Sequence, residues 1–273
     1  MKTILIATDF SPAATNALIY GAGIIKHLDL NVVLIHAVTP PLGRYDTLTP
    51  KAVIDEVKRA SLMTLDEHKK LLIDHIGYDP GIKTEVEVGH ADDVIQSMAH
   101  KYKADLVVIG IIGESGTAKR KSIGSNTLKL AHALEAPLLV IPGDISYRNI
   151  HRISFACDPE EIEDDAFRYI IETFCKTFNA WLEVVHIKTN LKKTIKSLVA
   201  GSMMEQIIEK VDHTVVTLFD TDPANALKDY FAHNKTDLII MDPKEHTLFE
   251  KIFNQSVTRE LIFSLKTPML IIH

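Results

Sequence analysis

The stretch Ile4-Leu5-Ile6-Ala7-Thr8-Asp9 is repeated 149 residues later as Ile153-Ser154-Phe155-Ala156-Cys157-Asp158. A short apolar run that ends in a polar residue is typical of a buried strand in a parallel sheet. Recurrence of such a strand at a long interval indicates a duplicated domain.

Three further strand-like segments recur in the same order. At offsets of 150, 132 and 131 residues, the segments 34–36, 104–110 and 136–141 match 184–186, 236–242 and 267–272. The offset falls because the first copy has the longer connection after its second strand. The turn-forming stretch Pro142-Gly143-Asp144-Ile145-Ser146 separates the copies. The sequence therefore predicts two domains, 1–143 and 150–273.

Within each copy, runs rich in Val, Ile and Leu alternate with segments of helical period, which predicts an α/β fold. We expect two tandem doubly wound domains, each with a five-stranded parallel sheet. The predicted strands are 2–8, 31–38, 83–89, 105–110 and 137–141, then 151–156, 181–187, 213–219, 237–241 and 268–272. The predicted helices of the first copy are 12–26, 51–76, 91–102 and 125–134.

Composition narrows the classes of function. Lys and Arg number 30 against 36 Asp and Glu, a net charge of −6, so a dedicated nucleic-acid binder is not expected. No segment approaches the roughly 20 apolar residues of a membrane span. Cys157 and Cys175 are the two cysteines, too few for a disulfide framework or a thiolate zinc site, and both are expected to be buried. The cytoplasm is the predicted location.

Candidate ligand-binding residues follow strands one and four, because ligands of open α/β sheets bind at the carboxyl ends of strands where the strand order reverses. Asp9-Phe10-Ser11-Pro12 follows the first strand, and a segment with Gly110, Gly113 and Gly124 follows the fourth. Glycines allow backbone N–H groups to approach a ligand, and hydroxyls at a helix N-terminus add donors for a phosphate. The alternative is that the glycines only turn the chain and Ser125 only caps a helix.

With these residues in these positions, the sequence resembles the universal stress protein family, in particular its tandem two-domain members. In that family the aspartate after the first strand lies near the adenosine, and a motif G-x2-G-x9-G-[ST] wraps the phosphates of ATP. The resemblance implies a Rossmann-like fold of the adenine nucleotide α-hydrolase-like type. Ten residues, not nine, separate Gly113 from Gly124 here. The nucleotide-binding residues implied by the resemblance are Asp9, Ala37, Val38, Gly110, Gly113, Gly124, Ser125, Asn126 and Thr127.

The second copy departs from the motif. Asp242, Glu245 and Gln255 replace the three glycines at the family's spacing, while Ser256-Val257-Thr258 retains the hydroxyl end. Carboxylates at a phosphate site repel the ligand, so we expect nucleotide in the first domain only. The second domain is expected to serve pairing or regulation.

The resemblance implies a cytoplasmic stress-response protein that binds ATP, with Mg²⁺, as a regulatory ligand. No catalytic residue and no metal-ligating side chain is assigned, and slow ATP hydrolysis is the most that we expect. A homodimer is expected, because proteins usually cover apolar edge strands. The alternative is a dimeric interaction module of the same fold that binds no nucleotide because of its extra loop residue. An adenylating ligase would need a Ser-Gly-Gly loop after the first strand, which Asp9-Phe10-Ser11-Pro12 does not supply.

Two other patterns have structural explanations. Gly21-Ala22-Gly23 is similar to part of a dinucleotide fingerprint but lies inside the first predicted helix, so close packing of that helix on the sheet explains it better. His36 and His186 occupy equivalent places in apolar strands. We expect them to be hydrogen-bonded core or strand-end residues.

Overall fold

Both copies of the repeat fold as α/β units with parallel sheets, as the alternation of apolar and helix-periodic segments predicts. The structure, a computed structural model, describes residues 1–39, 51–111, 123–157, 165–188, 210–241 and 266–272. The chain divides into two compact units, Met1–Tyr147 and Arg148–His273.

The first unit has a five-stranded sheet in the order β3-β2-β1-β4-β5. The order reverses between β1 and β4, which confirms the predicted position of the reversal. Helices α1 and α2 pack together, as do α3 and α4. The elements are β1 (Thr3–Ala7), α1 (Pro12–Ile25), β2 (Asn31–Val38), α2 (Lys51–Ile76), β3 (Lys83–Val88), α3 (Ala91–Tyr102), β4 (Leu106–Ile111), α4 (Ile123–Ala133) and β5 (Leu138–Pro142).

The second unit has the same strand order, β8-β7-β6-β9-β10, in which β6 takes the place of β1 and β9 that of β4. Both pairings of β6 are parallel. Its described elements are β6 (Arg152–Ala156), α5 (Asp165–Phe178), β7 (Trp181–Lys188), β8 (His213–Phe219), α6 (Pro223–His233), β9 (Leu238–Met241) and β10 (Met269–Ile271). No helix in the described ranges is both long and apolar enough to cross a membrane.

One detail near the candidate site differs from the prediction. Helix α4 begins at Ile123, two residues before the predicted start, so Gly124 and Ser125 belong to its first turn. Strand β2 has the predicted bounds, and Ala37 and Val38 are its last two residues, both paired with β3.

The glycines of α1 permit close packing of the helix. A Cβ at Gly21 would lie 2.9 Å from Ile6 Cδ1 of β1, and a Cβ at Gly23 would lie 2.4 Å from the ring of Tyr147. The expectation of close packing against the sheet is thus confirmed for Gly21. At Gly23 the close neighbour is the segment that follows β5.

The core of the second unit contains a polar network where the first unit is apolar. In the first unit the register pair Leu5 and Val33 is fully buried. The corresponding pair of the second unit is Ser154 and Glu183, and Ser154 Oγ donates to Glu183 Oε2 at 3.0 Å. Ser154 is completely buried, and Glu183 is 8% exposed.

Two more hydroxyls complete this network. Ser154 Oγ lies 2.7 Å from Thr236 Oγ1, which gives that serine a second hydrogen bond. The Tyr230 hydroxyl of α6 bonds to the Glu183 carboxylate, and burial together with this bond raises the pKa of Tyr230 to about 12. The network therefore satisfies the polar groups that it buries, as a low-dielectric interior requires.

Equivalent histidines close the carboxyl ends of the central strands. The Nδ1–H of His36 donates to the Thr8 carbonyl at 2.8 Å, and His186 Nδ1 lies 3.5 Å from the Cys157 carbonyl in the second unit. The expectation of hydrogen-bonded strand-end histidines is confirmed. Because both units have this contact, it belongs to the architecture that they share.

We predict that neither cysteine reacts with thiol reagents in the folded protein. Cys157 and Cys175 are 4% and 3% exposed, and burial raises the pKa of the Cys175 thiol to about 12, so little thiolate forms at neutral pH. A dithiobis-nitrobenzoate assay should show almost no colour in buffer and two thiols per chain in guanidinium chloride. Rapid reaction of either thiol in buffer would contradict this burial.

Candidate functional site

The carboxyl ends of β1, β2 and β4 open into a cavity of about 250 Å³ in the first unit. The cavity lies where the strand order reverses, which is the usual position of ligands in this class of fold. Small and aliphatic side chains predominate in its lining, and Asp9 is its one charged side chain among the described residues. The lining residues are Ala7, Thr8, Asp9, Ala14, Ile35, Ala37, Ala91, Ile95, Ile109, Gly110, Thr127 and Leu130.

Three helices direct their N-terminal ends toward this cavity. Ala14 is the third residue of α1, Ala91 is the first residue of α3, and Thr127 lies one turn into α4. The first N–H groups of a helix have no intrahelical acceptor, and the helix dipole places partial positive charge there. The cavity can therefore attract an anionic group although no lysine or arginine belongs to its described lining.

The turn between β1 and α1, residues 8–11, is fixed by side-chain acceptors. The Phe10 N–H donates to Thr8 Oγ1 and the Ser11 N–H donates to Asp9 Oδ1, each at 3.0 Å. Ser11 Oγ in turn accepts the N–H of Ala14 at 3.2 Å and caps α1. Asp9 is exposed and lines the cavity, so its second carboxylate oxygen is available to a ligand hydroxyl.

Phe10 adopts a strained backbone conformation in this turn. Its φ of +64° lies in the left-handed region, which a bulky side chain occupies at a cost of about 1–3 kcal/mol. The Phe10 ring packs against His36 with centroids 4.2 Å apart and against His68 of α2 at 5.1 Å. These ring contacts offset the strain and hold the conformation that places Asp9 at the cavity.

Gly110 has a packing role that the sequence did not reveal. A Cβ at this position would lie 2.3 Å from the carbonyl oxygen of Ala13 and 2.6 Å from its carbonyl carbon. A Cβ at Gly143, after β5, would lie 2.9 Å from the Ala13 side chain. Glycine at 110 therefore allows the backbone of the first turn of α1 to touch the end of β4.

A hydrogen-bonded pair joins the two helices on one side of the cavity. Lys129 of α4 donates to Asp92 of α3 at 2.8 Å, and this bond holds the pKa of the Asp92 carboxyl below its usual range. The Gln96 side chain of α3 also donates to the Ala133 carbonyl at 2.7 Å. The walls that contain Ala91 and Thr127 are thus fixed relative to each other.

The structure brings four of the predicted site residues to one cavity: Asp9, Ala37, Gly110 and Thr127. The side chain of Val38 is buried and its carbonyl accepts the Gly89 N–H at 3.0 Å, so it is not part of the lining. Gly124, Ser125 and Asn126 are the second to fourth residues of α4. The remaining predicted position, Gly113, and the motif positions of the second copy (Asp242, Glu245, Gln255, Ser256 and Thr258) lie outside the described residues.

Sequence reasoning missed the contribution of α3. Ala91 and Ile95 of α3 line the cavity, and Thr8 lines it from the turn after β1. The start of a helix directly after the third strand was visible in the sequence. Small apolar side chains carry no chemical signature, however, and only the packing of α3 beside α4 brings them to the site.

The universal stress protein family model matches residues 1–142, so this chain belongs to the universal stress protein family. A universal stress protein of Methanocaldococcus jannaschii is 28% identical over 144 residues, which are 51% of this chain and 81% of that protein. The structure of a universal stress protein from Archaeoglobus fulgidus has a TM-score of 0.74 and 19% identity and covers 99% of this chain and 97% of its own. The structure of a functionally unknown protein from Pseudomonas aeruginosa has a TM-score of 0.56 and 13% identity, and the match covers 100% of this chain and 92% of that one.

We predict that Gly110→Ala destabilises the empty protein. The new Cβ meets rigid backbone at Ala13, and overpacking of this kind costs about 1–3 kcal/mol. Gly21→Ala is the matched control, because its Cβ meets only the flexible end of Ile6. Urea unfolding of both variants without ligand checks this. Equal stability of the two variants would mean that α1 does not depend on Gly110 for its position.

Proposed function

We propose that this chain is a stress-response protein that binds an adenine nucleotide, ATP with Mg²⁺, in the cavity of its first unit as a regulatory ligand. The observation that carries the proposal is the convergence of four residues from different segments. Asp9 after β1, Ala37 of β2, Gly110 of β4 and Thr127 of α4 are separated widely along the chain but line one cavity. These are positions to which the family pattern assigns the nucleotide.

The chemistry of the cavity suits the parts of such a ligand. Aliphatic side chains such as Ile35, Ile95 and Leu130 provide a surface for a planar base. The Asp9 carboxylate can accept hydrogen bonds from ribose hydroxyls, and the helix N-termini favour phosphates. Mg²⁺ typically binds through substrate phosphates with few protein carboxylates. The single carboxylate of the described lining is compatible with a metal ion that enters on the nucleotide.

Binding rather than turnover is the function that we propose. Within the described lining, Asp9 is the one carboxylate, and one of its oxygens already accepts the Ser11 N–H. Phosphoryl transfer needs a group that orients the attacking nucleophile. At most slow hydrolysis is consistent with this set of residues. The proposal includes a cytoplasmic location and a homodimer, in which occupancy of the site acts as the signal.

We predict that Ala37→Leu lowers the affinity for ATP at least tenfold, about 1.4 kcal/mol. The larger side chain fills part of a cavity of about 250 Å³ and displaces the base. Ala52→Leu, an exposed position on α2, is the matched control and should bind as the wild type does. Isothermal titration calorimetry with Mg²⁺ measures both. Unchanged affinity of Ala37→Leu would exclude this cavity as the site, and no binding by the wild type would favour the interaction-module alternative.

We predict one nucleotide per chain. Asp242 and Glu245 stand where the first copy has glycines, and each carboxylate near a phosphate costs on the order of a few kcal/mol in a partly buried site. The same calorimetric titration gives the stoichiometry, and it should be run with and without Mg²⁺ because a bound cation reverses the sign of this repulsion. Two nucleotides per chain under either condition would contradict the expected loss of binding in the second copy.

A further inference from the structure

A histidine of α2 contacts the turn that presents Asp9. His68 Nδ1 lies 3.1 Å from the carbonyl of Thr64, four residues earlier in the same helix, and Nε2 lies 3.3 Å from Thr15 Oγ1 of α1. The imidazole also packs on the ring of Phe10 at a centroid distance of 5.1 Å. His68 therefore connects α2 to the β1–α1 turn at Phe10 and to the first turn of α1 at Thr15.

The hydrogen bonds among His68, Thr15 and Ser11 can be arranged in two ways, which differ in the acceptor of the Thr15 hydroxyl hydrogen. The Thr64 carbonyl can only accept, so His68 Nδ1 carries a hydrogen in both states. Thr15 Oγ1 lies 3.0 Å from the carbonyl of Ser11, which also can only accept. The single hydroxyl hydrogen of Thr15 is thus donated either to the Ser11 carbonyl or to His68 Nε2.

Protonation of His68 selects between the two states. In neutral His68, Nε2 is an acceptor that competes with the Ser11 carbonyl for the Thr15 hydroxyl hydrogen. In protonated His68, Nε2–H donates to Thr15, and the hydroxyl donates to the Ser11 carbonyl. The proton therefore adds a hydrogen bond to Ser11, the residue that caps α1 and binds Asp9 through its N–H.

The same proton strengthens the packing of the strained residue. A cationic imidazole beside an aromatic face gains about 0.5–1 kcal/mol or more. It also places a positive charge in contact with Phe10, the residue after Asp9, and a positive charge near the cavity favours an anionic ligand. The first effect stabilises the conformation that holds Asp9 at the cavity, and the positive charge favours binding of an anionic nucleotide.

We propose that His68, acting through Thr15 and Phe10, is a positioning residue that couples nucleotide affinity to pH. The proposal rests on the proposed nucleotide binding and adds its regulation: affinity rises as the pH falls and His68 takes up a proton. By linkage, nucleotide binding promotes that uptake to the same extent.

The groups around His68 come from four elements. The turn contributes the Phe10 ring and, one residue before it, the Asp9 carboxylate; β2 contributes His36 on the far side of that ring. The Nδ1–H of His36 is already donated to the Thr8 carbonyl. Helix α1 contributes the neutral Thr15, and Thr64 lies one turn earlier on α2.

Calorimetric ATP titrations at about pH 6 and pH 8 test the coupling. For each protein, the ratio of the affinities at the two pH values is measured. The ratio of the wild type should be about fivefold larger than that of His68→Gln, with tighter binding at the lower pH. His68→Gln is the reference because ATP and the other histidines take up protons in its titrations as well. The control is His75→Gln: His75 is an exposed histidine of α2 whose Nδ1–H donates to Leu71, also four residues earlier, at 2.9 Å. It should keep the wild-type pH dependence.

A second measurement needs no ligand. In heteronuclear NMR spectra of the whole chain, the Ser11 and Thr15 amide signals should shift with pH along the titration curve of the His68 ring, and they should lose this shift in His68→Gln. If the wild type binds no ATP, the proposed function fails while the amide titration still tests the turn. The proposal would be overturned if His68→Gln kept the wild-type ratio of affinities at the two pH values. It would also be overturned if the Ser11 and Thr15 amide signals did not change along the His68 titration curve.

Discussion

The contact between the backbone of Ala13 and Gly110 is the constraint on which the first unit's site depends. A Cβ at Gly110 would lie 2.3 Å from the Ala13 carbonyl oxygen, so only glycine lets α1 begin this close to β4. The start of α1 determines where Ser11 caps the helix and where the preceding turn presents Asp9. The cavity between β1 and β4 is thus shaped by backbone contact before any ligand chemistry is considered.

Rigidity at this site comes from many weak contacts around a strained residue. Phe10 keeps a φ of +64° because side-chain acceptors hold the backbone on either side and two imidazoles pack against its ring. Strained residues persist where the surrounding structure over-determines them, and such places are often functional. A turn fixed in this way can present a carboxylate to a ligand without reorganisation when the ligand binds.

The sequence predicted the elements well because their signals are local. Helix α2 spans Lys51–Ile76 as predicted, and Asp9 and Gly110 lie at one cavity because each lies at the carboxyl end of a strand beside the reversal in strand order. The contact of His68 with Phe10 was not predictable, since 58 residues separate them and only the packing of α2 on α1 brings them together. The packing role of Gly110 was missed for the same reason: its neighbour, Ala13, lies in another element.

The polar network of the second unit affects which strands can pair when a chain with two similar copies folds. Strands β1 and β2 pair in the same register as β6 and β7, so a strand from one copy could be exchanged for its counterpart during folding. An exchange would place Glu183 opposite Leu5, without the hydroxyls of Ser154 and Thr236 nearby. A buried carboxylate that has lost its partners costs several kcal/mol. The chemical difference between the two cores therefore makes an exchange of these strands energetically unfavourable.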